Sequence, residues 1–164
     1  MYVSVPFALK VEQTSLERSF ESMPFVPTEE EKRRLRCEEV LSIQAYGLKK
    51  RYEHTGASVA VIGISGGLDS ALELLVTVKT FDLLGLDRKG IVAVTMPGFG
   101  TTDRTARNAC RIAELLGVRL EKVDIREAVE LHFRDIGQDP EKRDVVYENA
   151  QARERTQVLM DLAN

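Results

Sequence analysis

Ser65-Gly66-Gly67-Leu68-Asp69-Ser70 is the stretch of this chain whose residue types and spacing suit chemistry. Two glycines let backbone approach a ligand closely, and two serines add hydroxyl donors. A helix starting beside them brings free N–H groups and the positive end of a helix dipole to the same point. Such a point holds an anion, most often phosphate. Asp69 is the odd member. A carboxylate beside phosphate repels it unless a cation lies between them, so Asp69 predicts Mg2+ bridging to phosphate oxygens; the alternative is that its side chain only caps the helix at Ser70. The string is neither GxxxxGK[ST] nor GxGxxG, so it is not one of the commonest phosphate or dinucleotide loops.

The elements that must position this turn can be read from hydrophobic pattern. Residues 58–64 are apolar almost without alternation, the mark of a strand buried on both faces of a parallel sheet, and the spacing predicts the central strand. After the turn, Ala71, Leu74, Leu75, Val78 and Phe81 follow helical spacing to about Leu84, where Gly85 is placed to end the helix. Residues 91–96 form a second buried strand, stopped by Pro97-Gly98. Residues 97–102 are then a loop at the carboxyl end of that strand, and Thr102 or Asp103 caps the next helix. Its apolar line is Ala106, Ala109, Cys110, Ala113 and Leu116, with Gly117 closing it. Residues 118–123 give a third, more polar strand nearer an edge. Asp124 and Glu127 have capping-box spacing at the start of a short helix through Val129, Phe133 and Ile136. This alternation predicts an α/β fold, a doubly wound parallel sheet with right-handed crossovers. Ligands in such sheets bind at the carboxyl ends of strands near a switch point, where residues 63–70 and 96–102 both fall.

Outside that frame the signals are simpler. Residues 1–28 alternate weakly at Tyr2, Val3, Val5 and Phe7, then become Ser- and Pro-rich, reading as a linker, an arm or a disordered tail. Thr28 and the acids after it predict the start of an amphipathic helix over about 29–52, whole or in two pieces meeting at Gly47, along Cys37, Leu41, Ala45, Leu48 and Tyr52. Arg33, Arg34 and Arg36 form a solvated face. Residues 137–147 have turn chemistry and predict a mobile surface loop, and residues 148–164 are strongly helical.

A net charge of −3 over 164 residues, with both signs interspersed, argues against a nucleic-acid partner. The apolar runs are too short for a membrane span, and no signal-peptide pattern opens the chain, which points to the cytoplasm. Cys37 and Cys110 lack metal or redox spacing and are expected to be buried free thiols. His54 and His132 have no second ligand at useful spacing, so no metal role is expected for them.

Following a buried strand, the string from Ser65 to Ser70 resembles the SGGxDS signature of the ATP pyrophosphatases, the PP-loop superfamily with the adenine nucleotide alpha hydrolase-like fold. IVAVTMPGFGTT over 91–102 and YENAQARERTQVLMDLAN over 147–164 are similar to bacterial glutamine-dependent NAD synthetases. So is PFVP followed by RCEEVLSIQAYGLKKR, which looks like that family's passage from its glutaminase (amidase) domain into its synthetase domain. The resemblance implies residues 1–28 as a linker and 29–164 as the first part of a synthetase domain. It implies ATP contacts at Gly63, Ile64, Ser65, Gly66, Gly67, Leu68, Asp69, Ser70, Thr95 and Met96, with Asp69 also on Mg2+. Met96 as a plain core residue is the alternative at the second strand's end. Asn149 and Arg153, at i and i+4, are implied as contacts to nicotinic acid adenine dinucleotide; the alternative is a helix surface laced by ion pairs such as Arg155 with Glu148 or Glu154. Gln151 and Arg155 form a second line one step round the same helix.

By this resemblance the parent enzyme adenylates nicotinic acid adenine dinucleotide with ATP and Mg2+, releases pyrophosphate, and lets ammonia displace AMP to give NAD. Ammonia would come from a glutaminase domain, and association into a homodimer or higher oligomer is implied. The family's amidase domain and its later acidic and lysine contacts are not in this sequence, and Glu73 stands where the family more often has a small residue. The expectation is therefore a central fragment holding half an active site, unable to complete the reaction. Another PP-loop pyrophosphatase, such as a tRNA-thiolating or GMP-forming ligase, and a non-catalytic nucleotide-binding module are the competing readings.

Overall fold

The computed structural model describes residues 2–13, 15, 17–100 and 102–164. Met1, Thr14 and Leu16 in the expected arm, and Thr101 in the expected loop, lie outside the described residues. The chain divides into two compact units, Met1–Cys37 and Glu38–Asn164.

In the first unit the described residues before the helix have no regular structure beyond a turn in which Val26 N–H donates to the Met23 carbonyl at 3.1 Å. Tyr2, Val3, Val5 and Phe7 are exposed. Helix α1 (Glu30–Thr55) begins here. Its first bond runs from Arg33 N–H to the Glu29 carbonyl, so Glu29, not Thr28, sits at the boundary. Lys32 pairs with Glu29 and Arg34 with Glu31, and Arg33, Arg34 and Arg36 are solvated as expected.

α1 continues without a break through Gly47, because a single helical glycine costs only about 1 kcal/mol against alanine and tertiary contacts on either side hold the helix. Ala45 is fully buried, its carbonyl accepting from Thr80 Oγ1 at 3.2 Å, and Tyr52 meets Phe81 edge to face at 5.4 Å.

The second unit is an α/β fold. Strands β1 (Ala60–Gly63), β2 (Ile91–Thr95) and β3 (Arg119–Lys122) are parallel and pair in the order β1-β2-β3, with Ile62 opposite Ala93 and Val94 opposite Glu121. β2 is therefore the central strand, and β1, expected there, is at an edge. The reason is visible in exposure: Val59 is 55% exposed and Val61 half-buried, whereas every residue of β2 is buried. β3 is the polar edge strand the sequence implies. Strand order does not reverse within these described strands, so residues 63–70 and 96–102 share the carboxyl edge of the sheet without a switch point between them.

Helices cover both faces. α2 (Leu68–Leu84) and α3 (Asp103–Leu116) pack Leu74, Val78, Phe81, Ala109 and Ala113 on Ile62, Ile91 and Ala93. α4 (Arg126–Ile136) and α5 (Val145–Ala163) pack Val129, Phe133, Tyr147 and Ala150 on Val92 and Val94, the alternate residues of the same strand. Gly85, Gly117 and Gly137 close α2, α3 and α4 in the left-handed conformation, and Thr102 caps α3 by accepting from Thr105 N–H. A 3-10 turn at Arg88–Gly90 precedes β2; Arg88 grips Asp82 with two bonds of 2.8 and 2.7 Å and donates to the Leu116 carbonyl, tying the ends of α2 and α3 together.

Several expectations are corrected. Cys37 and Cys110 are exposed free thiols. Cys110 lies one residue beyond Ala109, so it turns about 100° away from the buried line, where Ile112 joins the expected Leu116. No capping box opens α4: its N-cap is Ile125 with no side-chain bond, and Asp124 accepts from Arg126 N–H and pairs with the Arg126 guanidinium. Ile136 is 50% exposed. The segment after Gly137 is mostly exposed, irregular chain as far as Asp144, in keeping with its turn chemistry, and Gln138 Nε2 reaches the Asp139 and Lys142 carbonyls and Asp144 Oδ1 within it. Asp144 caps α5, which starts three residues earlier than expected because this carboxylate accepts from Val146 and Tyr147 N–H.

Candidate functional site

The turn from β1 into α2 is built from its own serines. Ser70 Oγ donates to the Gly67 carbonyl and accepts from Ser65 N–H, Ser65 Oγ meets Ser70 Oγ, and Gly67 N–H donates to Ser65 Oγ, all at 3.2 Å. Gly66 is required twice over: its φ of 79° lies in the left-handed region, and a Cβ there would stand 2.1 Å from the Thr105 carbonyl oxygen of α3. α2 has Gly67 as its N-cap with no side-chain bond. The N–H groups of its first turn thus remain available to an incoming anion.

Asp69 sits in that first turn, exposed. It makes no capping bond, which removes the reading in which it only caps the helix. Leu68 beside it is 85% exposed.

A cavity of about 510 Å3 brings together Gly63, Ile64, Ser65 and Gly67 with Thr95 and Met96 at the end of β2. Adjacent parallel strands end here side by side, Ile64 N–H donating to the Val94 carbonyl at 2.8 Å. Met96 serves in the core cluster and lines the cavity at once. Gly66, Leu68 and Ser70 face a neighbouring hollow that shares Ile64 and Gly67. The far wall is α5, contributing Glu148, Gln151, Arg155 and Leu159. Asn149 and Arg153 are on the exposed flank of α5 and do not line this cavity. The ion pairs weighed for Arg155 do not form; its Nε donates to the Met96 carbonyl at 3.3 Å. Gln151, Arg155 and Leu159 line the cavity from positions to which the sequence assigned no role, although their i, i+4, i+8 spacing marks one helix face.

A larger groove of about 760 Å3 reaches the same loop from Pro97 and Gly98 and is lined by α3, β3 and the start of α4. Two of its three arginines pair with neighbours, Arg111 with Glu114 and Arg126 with Asp124, and the latter guanidinium holds the Asp124 carboxyl down at about 2; Arg107 lines it as well. The smaller cavity has Ser65 and Gly67, the uncapped head of α2, so it is the better anion site.

The family model for NAD synthase matches residues 40–164. The chain belongs to the NAD synthase family. A glutamine-dependent NAD(+) synthetase of Mycobacterium leprae is 41% identical over 154 residues, covering 91% of this chain and 22% of that protein. An NH(3)-dependent NAD(+) synthetase of Hyperthermus butylicus is 34% identical over 118 residues, 71% of this chain and 40% of that protein. Among solved structures, a glutamine-dependent NAD+ synthetase from Acinetobacter baumannii in complex with ADP superposes with a TM-score of 0.70 at 27% identity, over 77% of this chain and 23% of that one. This member of the family thus spans about a fifth of its glutamine-dependent relatives and two fifths of the ammonia-dependent one.

Proposed function

We propose that this chain supplies the nucleotide-binding part of an NAD synthetase, in which ATP adenylates nicotinic acid adenine dinucleotide and ammonia then displaces AMP. The observation that carries the reading is the meeting of Ser65, Gly67 at the N-cap of α2, and Thr95 and Met96 at the end of β2 in one cavity. In the first step a nicotinate carboxylate oxygen attacks the α-phosphorus of ATP, the bond to the β-phosphate oxygen breaks, and pyrophosphate leaves. In the second, ammonia attacks the acyl carbon, its proton is lost, and AMP departs with the C–O electron pair.

The chain's own residues hold and orient. Backbone N–H groups around Gly66 and Gly67 cradle the departing phosphates, Ser65 and Ser70 exchange their mutual bonds for phosphate oxygens, and Thr95 and Met96 bound the adenine. Asp69 fits Mg2+: it is exposed, lies in the first turn of α2 next to the glycine turn in sequence, and forms no capping bond. Among the described residues no group of three acids, histidines or cysteines forms a cage, which suits an ion carried in on phosphate and held by one carboxylate. When bound, Mg2+ neutralises charge on the phosphates. Asn149 and Arg153 present a polar, cationic strip on α5 suited to the dinucleotide.

The same reading assigns residues 1–28 to a linker from an amidase domain that supplies ammonia from glutamine, residues 29–164 to the synthetase domain, and the assembly to a homodimer. Two exposed free thiols suit the reducing cytoplasm. No helix of the described residues is long and apolar enough to cross a membrane.

Calorimetric titration of the chain with ATP, in Mg2+ and in EDTA, tests the proposal. Saturable binding that weakens in EDTA, and that becomes metal-independent in Asp69→Ala, is expected. Metal-independent binding by the unaltered chain would sink the role of Asp69. Mixed with deamido-NAD, ATP and ammonia, the chain alone is expected to bind ATP without forming NAD.

A further inference from the structure

The groove of about 760 Å3 between α3, β3 and the start of α4 lies at the carboxyl ends of β2 and β3. Among the described residues it shares Thr95 alone with the nucleotide cavity, and none of the glycine turn lines it. The carboxyl ends of neighbouring parallel strands are where ligands settle in sheets of this kind, and the volume is that of a small-molecule site.

Helical period explains why α3 supplies most of its charge. Asp103, Arg107, Cys110 and Glu114 recur at steps of three and four residues on the flank of α3 away from the buried Ala109 and Ala113. Lys122 joins them from the end of β3 and Arg126 from the start of α4. Four cations, counting Arg111, thus stand against three acids, and bonding sorts them. Arg126 is spent on Asp124, its Nε donating at 2.9 and 3.1 Å to the two carboxylate oxygens, and Arg111 is spent on Glu114 at 2.8 Å. Arg107 and Lys122 are exposed and form no ion pair or hydrogen bond among the described residues; Lys122 adds only its field to Asp124.

A planar fork on one element and a point charge on another, both unspent in one groove, suit two negative charges on one small molecule. Asn108 adds an uncharged amide donor, and Pro97 and Ala106 leave apolar surface for the body of the ligand. Asp103, the acid left over, disfavours a triphosphate, which carries more negative charge than the two free cations can meet.

We infer that this groove is a second ligand site, taking a small organic dianion, a phosphate monoester or a dicarboxylate of up to sugar-phosphate size, with Arg107 and Lys122 as its charge partners. It goes beyond the nucleotide reading and does not depend on it. Cys110 reports its occupancy, because an exposed thiol in the lining is covered by whatever the groove holds. Cys37, exposed and in the other unit, is the internal reference.

The test is alkylation of the full chain by iodoacetamide, an uncharged reagent, at one fixed ionic strength, read at each cysteine by mass spectrometry. Glycerol phosphate, succinate or both are expected to slow reaction at Cys110 saturably, by about fivefold or more, and to leave Cys37 unchanged. Protection by one alone identifies the source of the dianion as phosphate monoester or dicarboxylate; protection by both shows a site that reads charge. Glycerol is expected to give none. In Arg107→Gln/Lys122→Gln, where both replaced side chains are exposed, protection should disappear. Lys122→Gln alone should weaken it and stands in if the double variant does not fold. Gly67→Ala, altered in the nucleotide cavity, should keep it in full. No protection by either dianion, equal slowing at Cys37, equal protection by glycerol, undiminished protection without the two cations, or its loss in Gly67→Ala overturns the site.

Discussion

Gly66 and Thr105 are in backbone contact: the glycine Cα lies so close to the α3 carbonyl that an added methyl would stand 2.1 Å from the oxygen. The glycine turn is therefore pinned between the helix it starts and the next one along. Its neighbour Gly67 is not pinned, having extended backbone at φ −87° and only Ser65 Oγ near, at 3.3 Å.

These two glycines are thus expected to fail differently. Gly66→Ala combines left-handed strain with backbone overlap and should cost about 2–4 kcal/mol of stability by denaturant unfolding. Gly67→Ala should change stability by less than about 1 kcal/mol yet weaken ATP binding, because its methyl stands where phosphate must approach. Equal stability of the two variants would contradict the packing described.

Asp124 is expected to titrate at about 2, because the Arg126 guanidinium and its N–H both favour the carboxylate. Its folded value lies below the ordinary 3.8, so its contribution to stability is fully present above 3.8 and is lost as pH falls through about 2. A carboxyl carbon NMR titration reads this directly. In Asp124→Asn the pH dependence of stability between those values should flatten, and 1 M salt should shrink the difference, since the pair is exposed.

Asp144→Ala removes the acceptor for Val146 and Tyr147 N–H at the start of α5. The thermal midpoint should drop by about 2–4 °C, and amide exchange should rise in the first turn of α5 before it rises at Leu159. A drop confined to the far end of the helix would speak against this cap.

Cys37 and Cys110 should both react with an aromatic disulfide reagent in the native protein, without denaturant, at comparable rates. Reaction of either thiol only after unfolding would restore the buried placement that their apolar neighbours suggest.

What the sequence made legible follows the range over which each interaction acts. The glycine turn, the ends of α2, α3 and α4, and the burial of β2 are set by residues within a few positions of each other, so residue type and period sufficed. The place of β1 at the edge was not legible, because 58–64 is as apolar as a central strand and pairing is decided by residues elsewhere. Cys110 failed through a single step of helical phase, Ala109 and Ala113 taking the core on a face one residue away. Gln151 and Arg155 act on the backbone of Phe99 and Met96, across 52 and 59 residues, and no local pattern announces a bond of that span.

α5 has a consequence beyond either of its sides. Residues two apart on a helix point about 200° from each other, so Asn149 and Arg153 stand nearly opposite Gln151 and Arg155 across a rod of roughly 10 Å, not one step round it as expected. The side chains proposed for the dinucleotide and those gripping the nucleotide loop are thus mounted back to back on one stiff strut. A sliding or rotation of that strut shifts both sets of side chains at once, so their relative placement reduces to the seating of a single helix.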